Sequence, residues 1–251
     1  MYSDHPFFKP PTNQNATIWR YVNFAKLVSM LDRQALFFAR ADMLPDQFEG
    51  SYPAPSVEAR PSMFGYVSPE ARDEAVRQWS SIYRNMKTAT FLNCWHLAEN
   101  ESAAMWQPHL KGDNGLAVQS TFRRLVQSLA PCEEYQVFIG QVEYIDYDKH
   151  QVPEGNTFFP FLYKRNCFEH ERELRAVIQQ LPVNEKGAVD WSKPLAATGI
   201  YVRVSVQDLM QAVYVSPGAS AWFSELVSSV VEKYGFQTEV RRSRLEGDPL
   251  Y

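Results

Sequence analysis

The order in which β-rich and helical segments follow one another constrains the fold of this chain more than any other feature. Apolar patterning predicts strands at 18–22, 35–39, 88–95, 115–119, 174–179, 200–204, 212–215 and 237–241, and either one long strand or two in succession at 135–147. Helical spacing predicts helices after Asn23, from 69 to about 87, and at 102–107, 121–129 and 219–234. Strands and helices do not alternate regularly, and neither G-x-G-x-x-G nor G-x-x-x-x-G-K-[ST] is present. The sequence therefore predicts an α+β fold with mostly antiparallel sheets and flanking helices.

The chain is long enough for one domain with a full core. It has 251 residues, of which 45% are hydrophobic. Residues 1–17, which contain Pro10-Pro11 and a polar run, predict an N-terminal lead-in, and 18–251 predict a single α+β domain. The proline-rich stretch 42–61 predicts a long loop.

Charge, apolar runs and cysteine usage exclude several classes of protein. The formal net charge of -4, without a block of like charges, does not provide the basic surface of a non-specific nucleic-acid binder. No apolar run reaches the roughly 18 residues of a membrane helix, and the chain begins without the pattern of a signal peptide. The three cysteines lack C-x-x-C, and the five histidines never fall in H-x-x-x-H or H-x-H spacing. We therefore expect a cytoplasmic protein with reduced thiols and no metal site.

The charged segment Cys167–Arg175 is the strongest candidate for chemistry. If a strand begins near Glu171, period-two alternation places Glu171, Glu173 and Arg175 on one face. Two neighbouring carboxylates repel each other, so one of them is partly protonated or balanced by Arg175. Such a pair suits the orientation of a hydroxyl and the stabilisation of a developing positive charge. The alternative is a solvated strand face whose charges compensate one another.

Arg20 is the second candidate, because it lies in an apolar strand. Alternation places it on the face opposite Trp19 and Tyr21. A buried guanidinium needs a counter-ion, so we expect Arg20 to lie within reach of the Glu171/Glu173 strand or of a ligand phosphate. The alternative is a purely structural ion pair.

Two further segments have mixed interpretations. The loop Asp46-Gln47-Phe48-Glu49-Gly50 is suited to a metal ion or to sugar hydroxyls, or else its phenylalanine anchors the loop to the core. Cys94-Trp95-His96 and Met105-Trp106 supply aromatic surface on which a base or a nicotinamide ring can stack. Tryptophans at this density are, however, more often part of the core.

Several of these segments together resemble a large bacterial family that is catalogued as a domain of unknown function. The matching motifs are Trp19-Arg20-Tyr21, Phe38-Ala39-Arg40, Asp46-Gln47-Phe48-Glu49-Gly50, Cys94-Trp95, Met105-Trp106, Gly115-Leu116-Ala117-Val118, Lys164–Arg175, Val213–Pro217 and Ser243–Leu245. They extend from about Ile18 to Leu245, and the set is specific although each motif alone is weak.

The order of these parts is similar to that of ADP-ribosyltransferase folds, and the resemblance implies roles for individual residues. Arg20 would contact the diphosphate or ribose of NAD, Glu173 would stabilise an oxocarbenium-like ribose, and Glu171 would orient the acceptor. The remaining residues expected to contact the dinucleotide are Tyr21, Arg40, Phe48 and Arg175. The Ser-Thr-Ser strand of the arginine-modifying class has only a partial counterpart in Gln119-Ser120-Thr121.

The resemblance thus implies an NAD-consuming enzyme of bacterial stress or phage defence, with a protein or nucleic acid as acceptor. Two alternatives of other classes remain open. One is a nucleotide-binding or sensing module without catalysis. The other is a metal-dependent enzyme that processes nucleotides or nucleic acids through Asp46, Glu49, Glu171 and Glu173.

Overall fold

A computed structural model describes residues 1–109, 115–192 and 195–247. The strands are β1 Thr17–Asn23, β2 Ala35–Arg40, β3 Thr90–Leu97, β4 Gly115–Thr121, β5 Phe138–Gln141, β6 Glu143–Ile145, β7 Tyr163–Arg165, β8 Glu173–Gln179, β9 Gly199–Arg203, β10 Ala212–Val215 and β11 Glu239–Arg242. The α-helices are α1 Phe24–Arg33, α2 Ala54–Met63, α3 Pro69–Ala89, α4 Ala103–Trp106, α5 Phe122–Ser128, α6 Val206–Leu209 and α7 Ala221–Lys233.

Nine of the strands in the described ranges form one sheet, and β6 and β7 form a separate parallel pair. The main path through the large sheet is β11-β10-β4-β1-β3-β2-β9, and β8 joins β3 to β5. All pairs in this sheet are antiparallel except β10 with β11. The predicted α+β class with mostly antiparallel strands and flanking helices is confirmed.

The sheet opens in its middle because two strands share one edge of β3. Along its other edge β3 pairs with β8 over seven residues. On the shared edge, β1 pairs near His96 and Leu97, whereas β2 pairs near Phe91 and Leu92. The backbone of β3 between these two places has no strand partner on that side. This opening between β1 and β2 lies beside the cavity described below.

Helices cover one face of the sheet and enclose the larger core. Leu27 of α1, Leu125 of α5 and Val227 of α7 pack there against the strand residues Phe38 and Trp95. On the opposite face, smaller clusters form around Trp19, Tyr21 and Trp106 and around Phe161 and Val177. The opposite face is therefore only partly filled by core residues.

The helix ends follow local signals in the sequence. The side chain of Asn23 accepts a hydrogen bond from the Lys26 N–H at 2.9 Å and caps α1, as predicted. Gly235 ends α7 at a φ of 85°. The helical spacing of 219–234 predicts one buried apolar face that includes Trp222, Leu226 and Val227. This prediction is partly wrong, because Trp222 is 61% and Leu226 39% exposed while Val227 is fully buried.

Two segments that the sequence predicts to lack regular structure, 42–61 and the N-terminal lead-in, have defined contacts in the structure. The stretch 42–61 was predicted as a long loop, but it contains α2, which begins after Pro53 and tolerates Pro55 in its first turn. The N-terminal segment lies along β5: Tyr2 forms a parallel bridge with Val137, and Phe8 is buried in the cluster of Phe138 and Phe161. In the part of the chain that the structure describes, no helix combines the length and hydrophobicity needed to cross a membrane.

Candidate active site

Three side chains from neighbouring strands form a row on the less covered face of the sheet. Trp19 of β1 lies opposite His96 of β3, and His96 lies opposite Glu173 of β8. Because paired residues of neighbouring strands point to the same side, all three side chains share one face. They border a cavity of about 340 Å³ that Tyr21, Met105 and Phe168 also line.

A buried ion-pair network forms the floor of this cavity. Arg175 lies at its centre with 1% exposure, and its guanidinium donates from Nε to Glu173 at 2.6 Å. The two terminal nitrogens bind both carboxylate oxygens of Glu49 at 2.6 and 2.8 Å. The carbonyl of Phe161 accepts a further bond at 2.8 Å. This bidentate geometry compensates charges that would otherwise be costly to bury.

Lys164 joins the second carboxylate to this network. Its ammonium donates to Glu173 at 2.7 Å and also donates to Glu171. The prediction that Glu171 lies in the strand is wrong: Asn166–Glu171 is a 3₁₀ helix, and Arg172 then turns the chain at a φ of 41°. The structure nevertheless brings both carboxylates to one cation. Sequence reasoning missed this role of Lys164, because it lies on β7 rather than on the charged strand.

The two carboxylates titrate in opposite directions. Burial alone would raise the pKa of Glu173, but the nearby guanidinium of Arg175 and the ammonium of Lys164 outweigh it and hold this pKa well below its usual range. Burial and the hydrogen bond with Glu173 raise the pKa of Glu171 to about 7. At neutral pH the site therefore holds one permanent anion and one carboxyl that can take up or release a proton.

His96 is a second site residue whose role the sequence did not indicate. Its Nδ1 lies 2.7 Å from the backbone oxygen of Glu171. A carbonyl oxygen only accepts, so Nδ1 carries the proton and Nε2 has a free lone pair. Burial lowers the pKa of His96, which keeps the ring neutral. No described residue bonds Nε2, and the ring lines the cavity.

The aromatic wall is fixed by its own hydrogen bonds. Tyr21 contacts the edge of Trp106 with ring centroids 5.0 Å apart, and its hydroxyl accepts from the Ser102 N–H at 2.9 Å. Burial raises the pKa of Tyr21 to about 12. The indole of Trp19 donates to the Ala98 carbonyl at 2.9 Å. Tyr21 is thus a rigid part of the cavity, as well as a predicted cofactor-binding residue.

Both carboxylates of the loop 46–50 pair with arginines. Glu49 points inward to Arg175, whereas Asp46 accepts from Arg165 at 2.7 Å. Phe48 points outward, is 47% exposed and stacks on the guanidinium of Arg165 at 4.1 Å. The proposal that Phe48 anchors the loop to the core is therefore wrong. Gly50 permits this geometry, since its φ is 69° and an added Cβ would lie 2.3 Å from the ring of Phe161.

Arg20 and Arg40 lie away from the carboxylate cavity. The expectation that Arg20 faces Glu171 and Glu173 is wrong, because Arg20 lies on the helix-covered face and donates to the carbonyls of Cys94 and Phe37 at 3.2 and 3.4 Å. It satisfies backbone oxygens at the opening of the sheet. Arg40 forms a bidentate pair with Asp42 at 2.6 and 3.1 Å and donates to the Ala196 carbonyl.

Of the residues predicted to contact a dinucleotide, Tyr21, Glu171, Glu173 and Arg175 line the cavity, whereas Arg20, Arg40 and Phe48 do not. Burial also raises the pKa of the Cys94 thiol, which argues against a reactive thiolate beside His96. Within the described residues, no group of three or more His, Cys, Asp or Glu side chains is placed to hold a metal ion.

Fold and site together define an α+β protein with an aromatic-walled cavity built on a buried carboxylate network. Neither a protein-family model nor a curated protein sequence matches this chain. Structural similarity is found to DarT of Thermus sp. 2.9 in complex with NAD+, at a TM-score of 0.43 and 9% identity over 96% of this chain and 100% of that one.

Two further structures of the same protein show a comparable similarity. DarT with ADP-ribosylated ssDNA gives a TM-score of 0.42 and 9% identity over 94% of this chain and 96% of that chain. DarT with carba-NAD+ gives 0.37 and 11% over 92% and 97%. Similarity at this level assigns neither an activity nor a ligand to the present chain.

Proposed function

We propose that this protein cleaves the N-glycosidic bond of NAD and transfers the ADP-ribose to an acceptor or to water. The observation that carries the proposal is a charged cluster at the aromatic-walled cavity, in which the carboxylates outnumber the cations by one. The cluster contains the carboxylates Asp46, Glu49, Glu171 and Glu173 and the cations Lys164, Arg165 and Arg175. When Glu171 is ionised, four anions against three cations leave one negative charge, and the nicotinamide ring of NAD is a cationic aromatic group that such a cavity attracts.

The reaction needs a fixed anion beside the sugar. When the bond between ribose C1′ and the nicotinamide nitrogen breaks, its electron pair leaves with nicotinamide and positive charge develops on the ribose. Glu173 is held ionised by Arg175 and Lys164, so it presents a preorganised negative charge to that ribose. Its second task is to hold a ribose hydroxyl.

Glu171 completes the reaction by moving a proton. An acceptor hydroxyl or water that attacks C1′ must lose its proton, and a carboxylate with a pKa of about 7 takes it up at neutral pH. His96 fixes the backbone of Glu171 through Nδ1 and offers Nε2 as an acceptor to the substrate. Residues 18–251 are the catalytic unit in this proposal, and residues 1–17 its lead-in.

One observation favours the alternative of a nucleotide-binding module without catalysis. Glu173 is bonded by two cations at once, and their charges weaken the field that it exerts on a ribose. A module of this kind would bind the dinucleotide in the same cavity without releasing nicotinamide. The two functions are therefore distinguished by measuring binding and nicotinamide release on the same preparation.

The test is nicotinamide release from NAD by the wild type and by Glu171→Gln between pH 6 and 8. We expect Glu171→Gln to lower kcat by about 10²–10³ and to abolish the rise in rate near pH 7, because the amide takes up no proton. Glu173→Gln should lower kcat by a similar factor, and its melting temperature should fall as well, since it leaves Lys164 and Arg175 without their shared anion.

Glu169→Gln is the matched control, because Glu169 is an exposed glutamate of the same 3₁₀ helix. It should retain the wild-type rate and pH profile. If the wild type binds NAD without releasing nicotinamide, the binding module replaces the enzyme. If it neither binds nor cleaves NAD across this range, both functions are refuted.

A further inference from the structure

The closing motif Ser243–Leu245 has no part in the proposed reaction, yet it is firmly attached to the sheet. The Ser243 N–H donates to the Val215 carbonyl at the end of β10 at 3.0 Å. The Ser243 hydroxyl accepts from the Leu245 N–H at 3.2 Å and begins a 3₁₀ turn, Arg244–Glu246. Ser243 is only 4% exposed, so the hydrogen of its hydroxyl needs an acceptor within the protein.

Glu101 provides this acceptor. Its carboxylate accepts from the Ser243 hydroxyl at 2.6 Å and from the Arg244 N–H at 2.9 Å, and the indole N–H of Trp106 donates to it at 3.1 Å. Three donors from two distant parts of the chain thus meet at one carboxylate. A glutamine does not replace it without loss, because its NH₂ group would face either the Arg244 N–H or the indole N–H.

The contacts continue from Glu101 to the carboxylate cavity. Trp106 is fully buried and supports Tyr21, with the two rings edge to face at 5.0 Å. The next residue along the chain, Ser102, donates its N–H to the Tyr21 hydroxyl at 2.9 Å. The side chain of Ser102 also caps α4, which carries Met105. Tyr21 and Met105 both line the cavity, so one side of it is supported by Glu101.

We propose that Glu101 and Ser243 are positioning residues, which hold Tyr21 and Met105 in the geometry that binds a ligand of the carboxylate cavity. Neither Glu101 nor Ser243 lines this cavity, so both act through the residues that do. Hydrogen bonds to a carboxylate are stronger than those between neutral groups, and Glu101 receives three of them. This side of the cavity is thus anchored 142 residues away in the sequence, in the closing motif.

The kinetic consequence rests on the proposed function. Tyr21 and Met105 would contact bound NAD, whereas Glu171 and Glu173 act on the proton and on the charge of the ribose. Contacts of the first kind stabilise the bound substrate and the transition state equally, and their loss raises KM without lowering kcat. Weakening the anchor should therefore change KM alone.

The first test is the NAD kinetics of Glu101→Gln. We expect KM to rise at least fivefold and kcat to stay within twofold of the wild type. Glu99→Gln is the matched control, because Glu99 is an exposed glutamate of the same loop, and it should keep both wild-type constants. An unchanged KM in Glu101→Gln, or a loss of kcat beyond twofold, overturns the proposal.

Ser243→Ala is the milder change, since it removes one donor and leaves Glu101 bonded to Trp106 and to the Arg244 N–H. It should also raise KM and leave kcat unchanged. Ser243→Thr keeps a hydroxyl at this position and should restore the wild-type KM. Equal KM values in Ser243→Ala and Ser243→Thr would overturn the role of Ser243.

Hydrogen exchange tests the same contacts without a substrate. The amide of Ser102 is bonded to the Tyr21 hydroxyl, and the amides of Met105 and Trp106 are bonded to Ser102. In Glu101→Gln these three amides should exchange at least tenfold faster, while those of β8, on the other side of the cavity, keep their wild-type rates. Unchanged exchange at 102–106 overturns the proposal. If the wild type neither binds nor cleaves NAD, the proposed function fails, and the exchange rates still decide whether Glu101 positions this wall.

Discussion

Replacing Arg175 by methionine removes the central charge of the buried network and keeps most of the side-chain volume. The guanidinium is the direct partner of Glu49 and Glu173, and all three side chains are at least nine-tenths buried. Methionine leaves Glu49 without its bidentate partner and leaves Lys164 as the only cation on Glu173. The variant therefore measures the cost of removing the cation that Glu49 and Glu173 share.

The loss can be estimated from the burial of the network. Removing one partner of a buried ion pair typically costs about 3–5 kcal/mol, because the other charge stays buried and unpaired. For a chain of this size each kcal/mol corresponds to roughly 2–4 °C, so the melting temperature should fall by roughly 6–20 °C. Such a loss is a large share of the roughly 5–15 kcal/mol that holds a typical protein folded.

The pH dependence has a sign that can be derived. In the wild type, the pKa of Glu173 lies well below its usual value of 4.5, so its contribution to stability is present above pH 4.5 and is lost as the pH falls through the folded-state pKa. In Arg175→Met, burial should raise this pKa above 4.5. The folded state then binds the extra proton, and stability is lost as the pH rises through the raised value. Between pH 5 and 8 the variant should therefore become progressively less stable relative to the wild type.

Urea unfolding of both proteins at pH 5, 6, 7 and 8 measures this difference. Arg241→Met is the matched control, since Arg241 pairs with Glu239 at the surface and should change the unfolding midpoint little at any pH. A deficit of Arg175→Met that stays constant from pH 5 to 8, or that shrinks as the pH rises, would refute the assignment of Glu173 as a buried anion held by Arg175.

Two further substitutions test the loop and the helix beside the site. Gly50→Ala should lower the free energy of unfolding by roughly 2–5 kcal/mol, because it combines a left-handed φ with a Cβ that meets Phe161. Gly155→Ala is the control, since a φ of 100° with no atom within 4 Å of the added Cβ isolates the backbone cost of about 1–2 kcal/mol. Equal losses of stability in urea unfolding would disprove the clash with Phe161. Val227→Ala should lower the free energy of unfolding by roughly 1–3 kcal/mol and Leu226→Ala by less than about 1 kcal/mol, since only Val227 is fully buried. NAD turnover should be unchanged in both variants. A larger loss of stability in Leu226→Ala than in Val227→Ala would contradict this packing of α7.

Local patterns in the sequence predict most of the elements but not all. The helices α1, α3 and α7 were predictable because their apolar residues recur at helical spacing over several turns and their ends carry capping residues. Helix α2 was missed, since its prolines resemble a loop although one lies in the first turn and Pro61 near the end. Trp222 has the helical spacing of the buried apolar residues of α7, but it is 61% exposed.

The incorrect predictions for residues of the candidate active site have a different cause. Alternation correctly places Arg20 opposite Tyr21, but it does not show which strand lies beside β1 or which face a cavity occupies. Glu171 pairs with Lys164, as Glu173 does, but it lies outside β8. The turn that brings Glu171 to Lys164 is made by Arg172 at a positive φ, a conformation that an arginine in the sequence does not predict.

The sequence by itself determined the α+β class, most of the strands and helices, and the presence of Glu173 and Arg175 on one strand face, because these depend on residues a few positions apart. Only the tertiary structure decided the partners of those charges. Glu49 meets Arg175 across 126 residues of chain, and Lys164 meets Glu171 and Glu173 from another strand. The cost of burying a charge requires that some partner exist, but only the packing of the strands fixes which side chain it is.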